Sequence, residues 1–122
     1  MDEIKELTKA EEQIMHELWE MGEGFVKEVI DRLPEPKPAY NTVSTIIRIL
    51  ETKGFVNHQT YGKSHKYIPA ISKEDYKKVV ADKLLSGYFE NSPKQMLSYF
   101  LEESKLDVKD LDDILNIINK HK

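Results

Sequence analysis

The 122-residue sequence predicts a mainly α chain with one small β-hairpin, in which three short helices and the hairpin precede a three-helix segment. Three observations carry this. Helical apolar spacing recurs three times before residue 54, two extended runs joined around a glycine follow, and beyond Pro69 the pattern is helical only. Three helices and then a hairpin is the order of a winged helix-turn-helix domain. The expected division is therefore 1–71 for that domain and 72–122 for the helical segment.

Thr8 with Glu11 three residues later makes a capping box, and Leu7, Ile14, Met15, Leu18, Trp19 and Met21 then recur at helical spacing. The first helix is expected over about 8–21, ended by Gly22 and Gly24. Phe25, Val26, Val29, Ile30 and Leu33 give a short second helix that stops at Pro34. The run Pro-Glu-Pro-Lys-Pro is a stiff connector, because each proline fixes its own φ and biases the residue before it away from helix. From Asn41 onward Val43, Ile46, Ile47 and Leu50 mark the apolar face of a third helix, closed at Gly54. Extended runs over 55–60 and 65–70, joined by Tyr61, Gly62, Lys63 and Ser64, make the hairpin.

Ser72 is the expected N-cap of a fourth helix, which carries Tyr76, Val79, Val80, Leu84 and Leu85 on one side and ends near Gly87. Ser92 and Pro93 open a fifth, with Met96, Leu97, Phe100 and Leu101, and Asp107 caps a sixth, with Val108, Leu111, Leu115 and Ile118. So short a segment cannot bury its own apolar stripes. A second copy of the chain is the simplest cover, which places Val80, Leu84, Met96, Leu97, Phe100, Leu111, Leu115 and Ile118 at a homodimer interface.

The absence of cysteine excludes a disulfide framework, a thiolate metal site and a cysteine nucleophile, and fits a reducing compartment. The acidic, amphipathic start is unlike a secretory signal, and no apolar run approaches the roughly 20 residues that span a bilayer. A cytoplasmic protein without direct membrane binding is expected. The net charge of −4 is unevenly spread. Residues 41–70 carry 4 basic and 1 acidic side chains, against 5 and 11 in residues 1–40 and 9 and 10 in residues 71–122. Local field matters more than total charge, so contact with phosphate belongs to the middle third.

There the third helix turns outward Asn41, Thr42, Ser44, Thr45 and Arg48. Short hydroxyl and amide groups let a helix approach a major groove closely, and an arginine reaches phosphate or a guanine edge. A solvated polar face would have the same composition; the position between a helical pair and a hairpin favours DNA. Lys63, His65 and Lys66, beside Tyr61, put positive charge on the hairpin, where a wing lies along backbone or minor groove; an ordinary turn with solubilising lysines is the bland alternative. His16, His58, His65 and His121 are scattered without metal-ligand spacing. The pairs Glu102–Glu103 and Asp112–Asp113 read as solvated faces, and no catalytic grouping or phosphate-binding glycine loop is found. No enzyme activity, metal or cofactor is expected.

Three stretches together carry a resemblance: LTKAEEQIMHELWE, AYNTVSTIIRILETKGFV and TYGKSHKYIPAISKEDY, followed by the helical tail. The chain resembles, over nearly its whole length, the penicillinase repressor family of winged-helix regulators. That resemblance implies a dimer on a double-stranded operator of dyad symmetry, blocking transcription, often of β-lactam resistance genes, with the third helix in the major groove. In antibiotic-responsive members a membrane sensor metalloprotease triggers cleavage within the dimerisation segment, at a bond that aligns here with Tyr99–Phe100. Tyr99 stands where members commonly have asparagine, while Phe100 matches. The Arg-Leu pair usual near the end of the recognition helix reads Arg48-Ile49-Leu50, which displaces the arginine by one position. The copper-responsive branch uses C-terminal cysteines, which this sequence lacks.

The function expected is thus a sequence-specific repressor that presents two copies of the third helix to half-sites about one helical turn apart, or a multiple of it. A winged helix used only to bind another protein is the main rival, discriminated by salt-sensitive binding to duplex DNA. A sensor enclosing a small apolar ligand between protomers is a third reading, discriminated by ligand-dependent thermal stabilisation.

Overall fold

Thr8 starts the first helix as its capping box predicts. Its hydroxyl accepts the Glu11 N–H at 3.2 Å, and the Glu11 carboxylate accepts the Thr8 N–H at 2.8 Å, so two of the helix's orphan donors are satisfied reciprocally. In this computed structural model, which describes residues 4–103 together with 109, 112, 113, 116 and 117, that helix is α1 (Lys9–Met21). Gly22 closes it at φ +87°, donating its N–H to the Leu18 carbonyl at 2.8 Å, a conformation that costs a residue with a Cβ.

Where helical spacing placed the start of the second helix, Gly24–Phe25 forms a two-residue strand, β1, and α2 runs over Val26–Arg32. So short a strand has no alternation to betray it; it exists because β3 supplies its partners. The connector then leads to α3 (Tyr40–Thr52), with Lys37 donating to the carbonyls of Ile30, Asp31 and Leu33 at 3.2, 3.1 and 2.8 Å and so terminating α2. The hairpin is β2 (Val56–Tyr61) and β3 (Ser64–Pro69), with Gly62 at φ +60° as the first of two turn residues. The sheet is antiparallel in the order β1-β3-β2, with Gly24 opposite Tyr67 and His58 opposite Tyr67 on the other side.

One core holds these elements together. Ile14, Met15 and Leu18 of α1, Val26 and Val29 of α2, and Val43, Ile47 and Leu50 of α3 meet Phe55, Val56 and Tyr67 of the hairpin, all buried. The fourth helix, α4 (Lys73–Tyr88), is capped by the Ser72 hydroxyl, which accepts the Asp75 N–H at 3.0 Å. Its first turn joins this core: Tyr76 is buried edge-on to Phe55, and its hydroxyl accepts the Leu7 N–H at 2.9 Å. Trp19 adds a bond from its indole N–H to the Ile71 carbonyl at 2.8 Å. The division of the chain accordingly falls between Met1–Val80 and Ala81–Lys122, nine residues beyond the change in composition at 71.

In the second unit α4 runs one residue past Gly87, and the chain turns through Glu90 and Asn91 at φ 52° and 60° into α5 (Pro93–Glu103), capped by Ser92. Phe89, Tyr99 and Phe100 form a ring cluster with centroids 5.6 to 6.3 Å apart. Of the sixth helix expected from Asp107, residues 109, 112, 113, 116 and 117 are described and are helical, while Leu111, Leu115 and Ile118 lie outside the described residues.

Candidate nucleic-acid interface

α3 buries one stripe and exposes the other. With Val43, Ile47 and Leu50 fixed in the core, Asn41, Thr42, Thr45 and Arg48 are exposed along its outer side, while Ser44 is half-buried at the edge of a groove. Arg48 lies along its own helix, its Nε donating to the Ser44 carbonyl at 3.4 Å, and makes no ion pair among the described residues. Two large side chains share this surface without having been singled out by composition: Tyr40, 55 % exposed, and Ile49, 42 % exposed. Ile49 follows Thr45 by four residues and Thr42 by seven, which puts the three on one stripe of the helix.

Side-chain contacts hold the helix at its C-terminal end. Lys53, its C-cap residue, donates to the Glu11 carboxylate at 2.7 Å, which ties the end of α3 to the start of α1. Burial pushes the Glu11 carboxyl up, but the Lys53 ammonium and the Thr8 N–H outweigh it and hold the group below the ordinary carboxylate range. Arg32, the last residue of α2, ties that helix to α1 by bridging Glu17 and Glu20 at 3.0 and 2.7 Å. At the hairpin side, Glu51 of α3 pairs with His58 of β2.

The hairpin separates its three expected basic residues. Lys63 stands in the turn, exposed and without an ion pair among the described residues. His65 is exposed with its ring centroid 4.4 Å from that of His58. Lys66 sits mid-strand rather than at the tip, opposite Phe25 of β1; its ammonium lies 5.4 Å from the Phe25 ring centroid, 5.6 Å from that of Tyr61 and 3.5 Å from the Glu23 carboxylate. Two rings and a carboxylate therefore already engage it. Between hairpin and helices runs an open groove of about 440 Å³ lined by Phe25, Lys27, Tyr40, Ser44, Tyr61, Lys63, His65 and Tyr67. Burial raises the Tyr67 hydroxyl above the ordinary phenol value, with Glu51 adding to it, so this phenol stays neutral.

Among the residues expected to bury a dimer contact, Val80 is exposed, while Leu84, Met96, Leu97 and Phe100 are half-buried. Tyr88 is 80 % exposed and Tyr99 half exposed beside Phe89 and Phe100. No group of three or more metal-binding side chains and no helix long and apolar enough to cross a membrane occurs among the described residues.

A helical pair leading into an exposed polar helix, followed by a basic-tipped hairpin, is a winged helix-turn-helix. The chain belongs to the penicillinase repressor family, whose sequence pattern it matches over residues 7–120. It is 27 % identical over 123 residues to the penicillinase repressor of Bacillus licheniformis, covering 100 % of this chain and 96 % of that one. To the methicillin resistance regulatory protein MecI of Staphylococcus aureus it is 22 % identical over 116 residues, 94 % of each chain. Two solved structures are similar at 30 % identity, each covering 62 % of this chain and 94 % of the other: the DNA binding domain of the repressor BlaI, with a TM-score of 0.54, and the monomeric form of Bacillus licheniformis BlaI in complex with the blaP half-operator, with a TM-score of 0.51.

Proposed function

We propose that the chain is a sequence-specific DNA-binding transcriptional repressor, acting as a homodimer on an operator of dyad symmetry. The observation that carries this reading is α3 itself: its apolar stripe is fixed in the core and tied by Lys53 to Glu11, while Asn41, Thr42, Thr45 and Arg48 stand exposed beside the wing. In this reading the outer face of α3 enters the major groove and reads base edges, with Ser44 at its margin. Lys63 holds phosphate, with His65 next to it, and Lys66 braces the wing through Phe25, Tyr61 and Glu23. The BlaI half-operator complex, similar over the same 62 % of the chain, supports the placement.

Val80, Leu84, Met96, Leu97, Phe100, Leu111, Leu115 and Ile118 are proposed to join two protomers, supported by the aromatic surface that one copy of the second unit leaves exposed at Tyr88 and Tyr99. Genes of β-lactam resistance are the proposed targets, the class to which the names of the two relatives point. A membrane sensor metalloprotease system is the proposed route of release, with cleavage at Tyr99–Phe100. That bond lies inside α5, so a protease needs the helix to open locally before an extended chain is presented.

The test is titration of the full-length protein on a duplex enriched from a random-sequence pool, with wild type and Arg48→Ala compared. Arg48 is exposed and outside the core, so Arg48→Ala should keep its unfolding temperature while binding about tenfold more weakly or worse. Unchanged affinity would contradict the placement of α3.

A further inference from the structure

Five aliphatic side chains lie along α3, and four belong to the core: Val43, Ile47 and Leu50 are buried, and Ile46 packs against them. Ile49 does not join them. It is 42 % exposed and shares the outer side of the helix with Thr42, Thr45 and Arg48, none of which is apolar enough to shield it.

A single exposed aliphatic residue on a protein surface is ordinary. Its position gives this one meaning, because every other exposed group at the middle of that face can form hydrogen bonds. In a major groove the only apolar group a base-pair edge offers is the C5 methyl of thymine. Against cytosine or guanine an isoleucine would strip water from a donor or acceptor and return no hydrogen bond, so the same side chain attracts one pair and rejects the others.

We propose that Ile49 is a specificity-determining residue that reads a thymine methyl group in each operator half-site. The inference rests on the DNA-binding reading of α3 and adds to it a base preference that the hydroxyl groups of Thr42 and Thr45 and the guanidinium of Arg48 do not supply.

The experiment uses the full-length protein and a duplex enriched from a random-sequence pool, with each symmetry-related pair of thymines replaced in turn by deoxyuridine. This removes the methyl group and leaves every hydrogen-bonding edge in place. At one thymine position wild type should bind the replaced duplex about fourfold more weakly per half-site, the value of one buried methyl group. Ile49→Ala should bind the two duplexes equally, Ile49→Val should keep most of the difference, and both variants should unfold at the wild-type temperature. Wild-type affinity unchanged by every replacement would overturn the proposal, as would a full loss retained by Ile49→Ala or an Ile49→Ala that melts well below wild type. Failure to enrich any duplex is a different outcome: it would overturn the DNA-binding reading itself.

Discussion

Glu11 does two jobs with one carboxylate, since it closes the capping box of α1 and accepts the Lys53 ammonium from the end of α3. At 5 % exposed, it is poorly placed to exchange either partner for solvent. Its folded-state ionisation is shifted below the ordinary carboxylate range, so the stability it contributes is fully present above that range and is lost as the pH falls through the lowered folded value. Glu11→Gln should therefore lower stability by about 1–3 kcal/mol at neutral pH. The gap from wild type should close as the solution is acidified below the carboxylate range. Urea unfolding at a series of pH values checks it; a gap independent of pH would mean the ion pair adds nothing beyond the hydrogen bond. The consequence reaches function, because Lys53 is the last fixed point of the helix that presents Arg48.

Among the elements, the hairpin shows how far sequence pattern reaches. Its two strands and its glycine turn were legible, since Gly62 between alternating runs admits few other structures. β1 was not, because two residues carry no period, and without β1 the surroundings of Lys66 could not be anticipated. Spacing also marked the buried stripe of α3 and its exposed polar face, but it assigned no role to Ile49, a residue whose exposure is set by how the helix rolls against α1 and the sheet. Lys53 was visible only as part of a family pattern; its bond to Glu11 joins positions 42 residues apart, a separation no local reading spans. The wing makes a direct contrast between its lysines. Lys63→Ala should weaken DNA binding and reduce the slope of log affinity against log salt by about one per protomer. Lys66→Ala should leave that slope nearly unchanged and lower the stability of the first unit instead, through loss of its contacts to Phe25, Tyr61 and Glu23. Salt titrations paired with thermal unfolding separate the two; equal slopes for both variants would place Lys66 on phosphate as well.

For the molecule as a whole, the net charge of −4 and the few basic groups near α3 leave little electrostatic attraction per protomer. The relative solved as a monomer on a half-operator shows that one winged helix of this family can occupy one half-site. Joining two such modules through the second unit makes the second half-site contact intramolecular, so affinity for a full operator should far exceed that for either half. The apolar exposure of the second unit at Tyr88, Tyr99 and Leu101 fits a surface covered by a second copy. Selection of bound duplexes from a random-sequence DNA pool, followed by titration of the enriched duplex at two salt concentrations with the stoichiometry determined, tests this most directly. The account predicts an inverted repeat with half-sites about one helical turn apart or a multiple, two chains per duplex, and affinity that falls as salt is raised. Enrichment of no sequence by a folded, dimeric protein, or binding indifferent to salt, would contradict it.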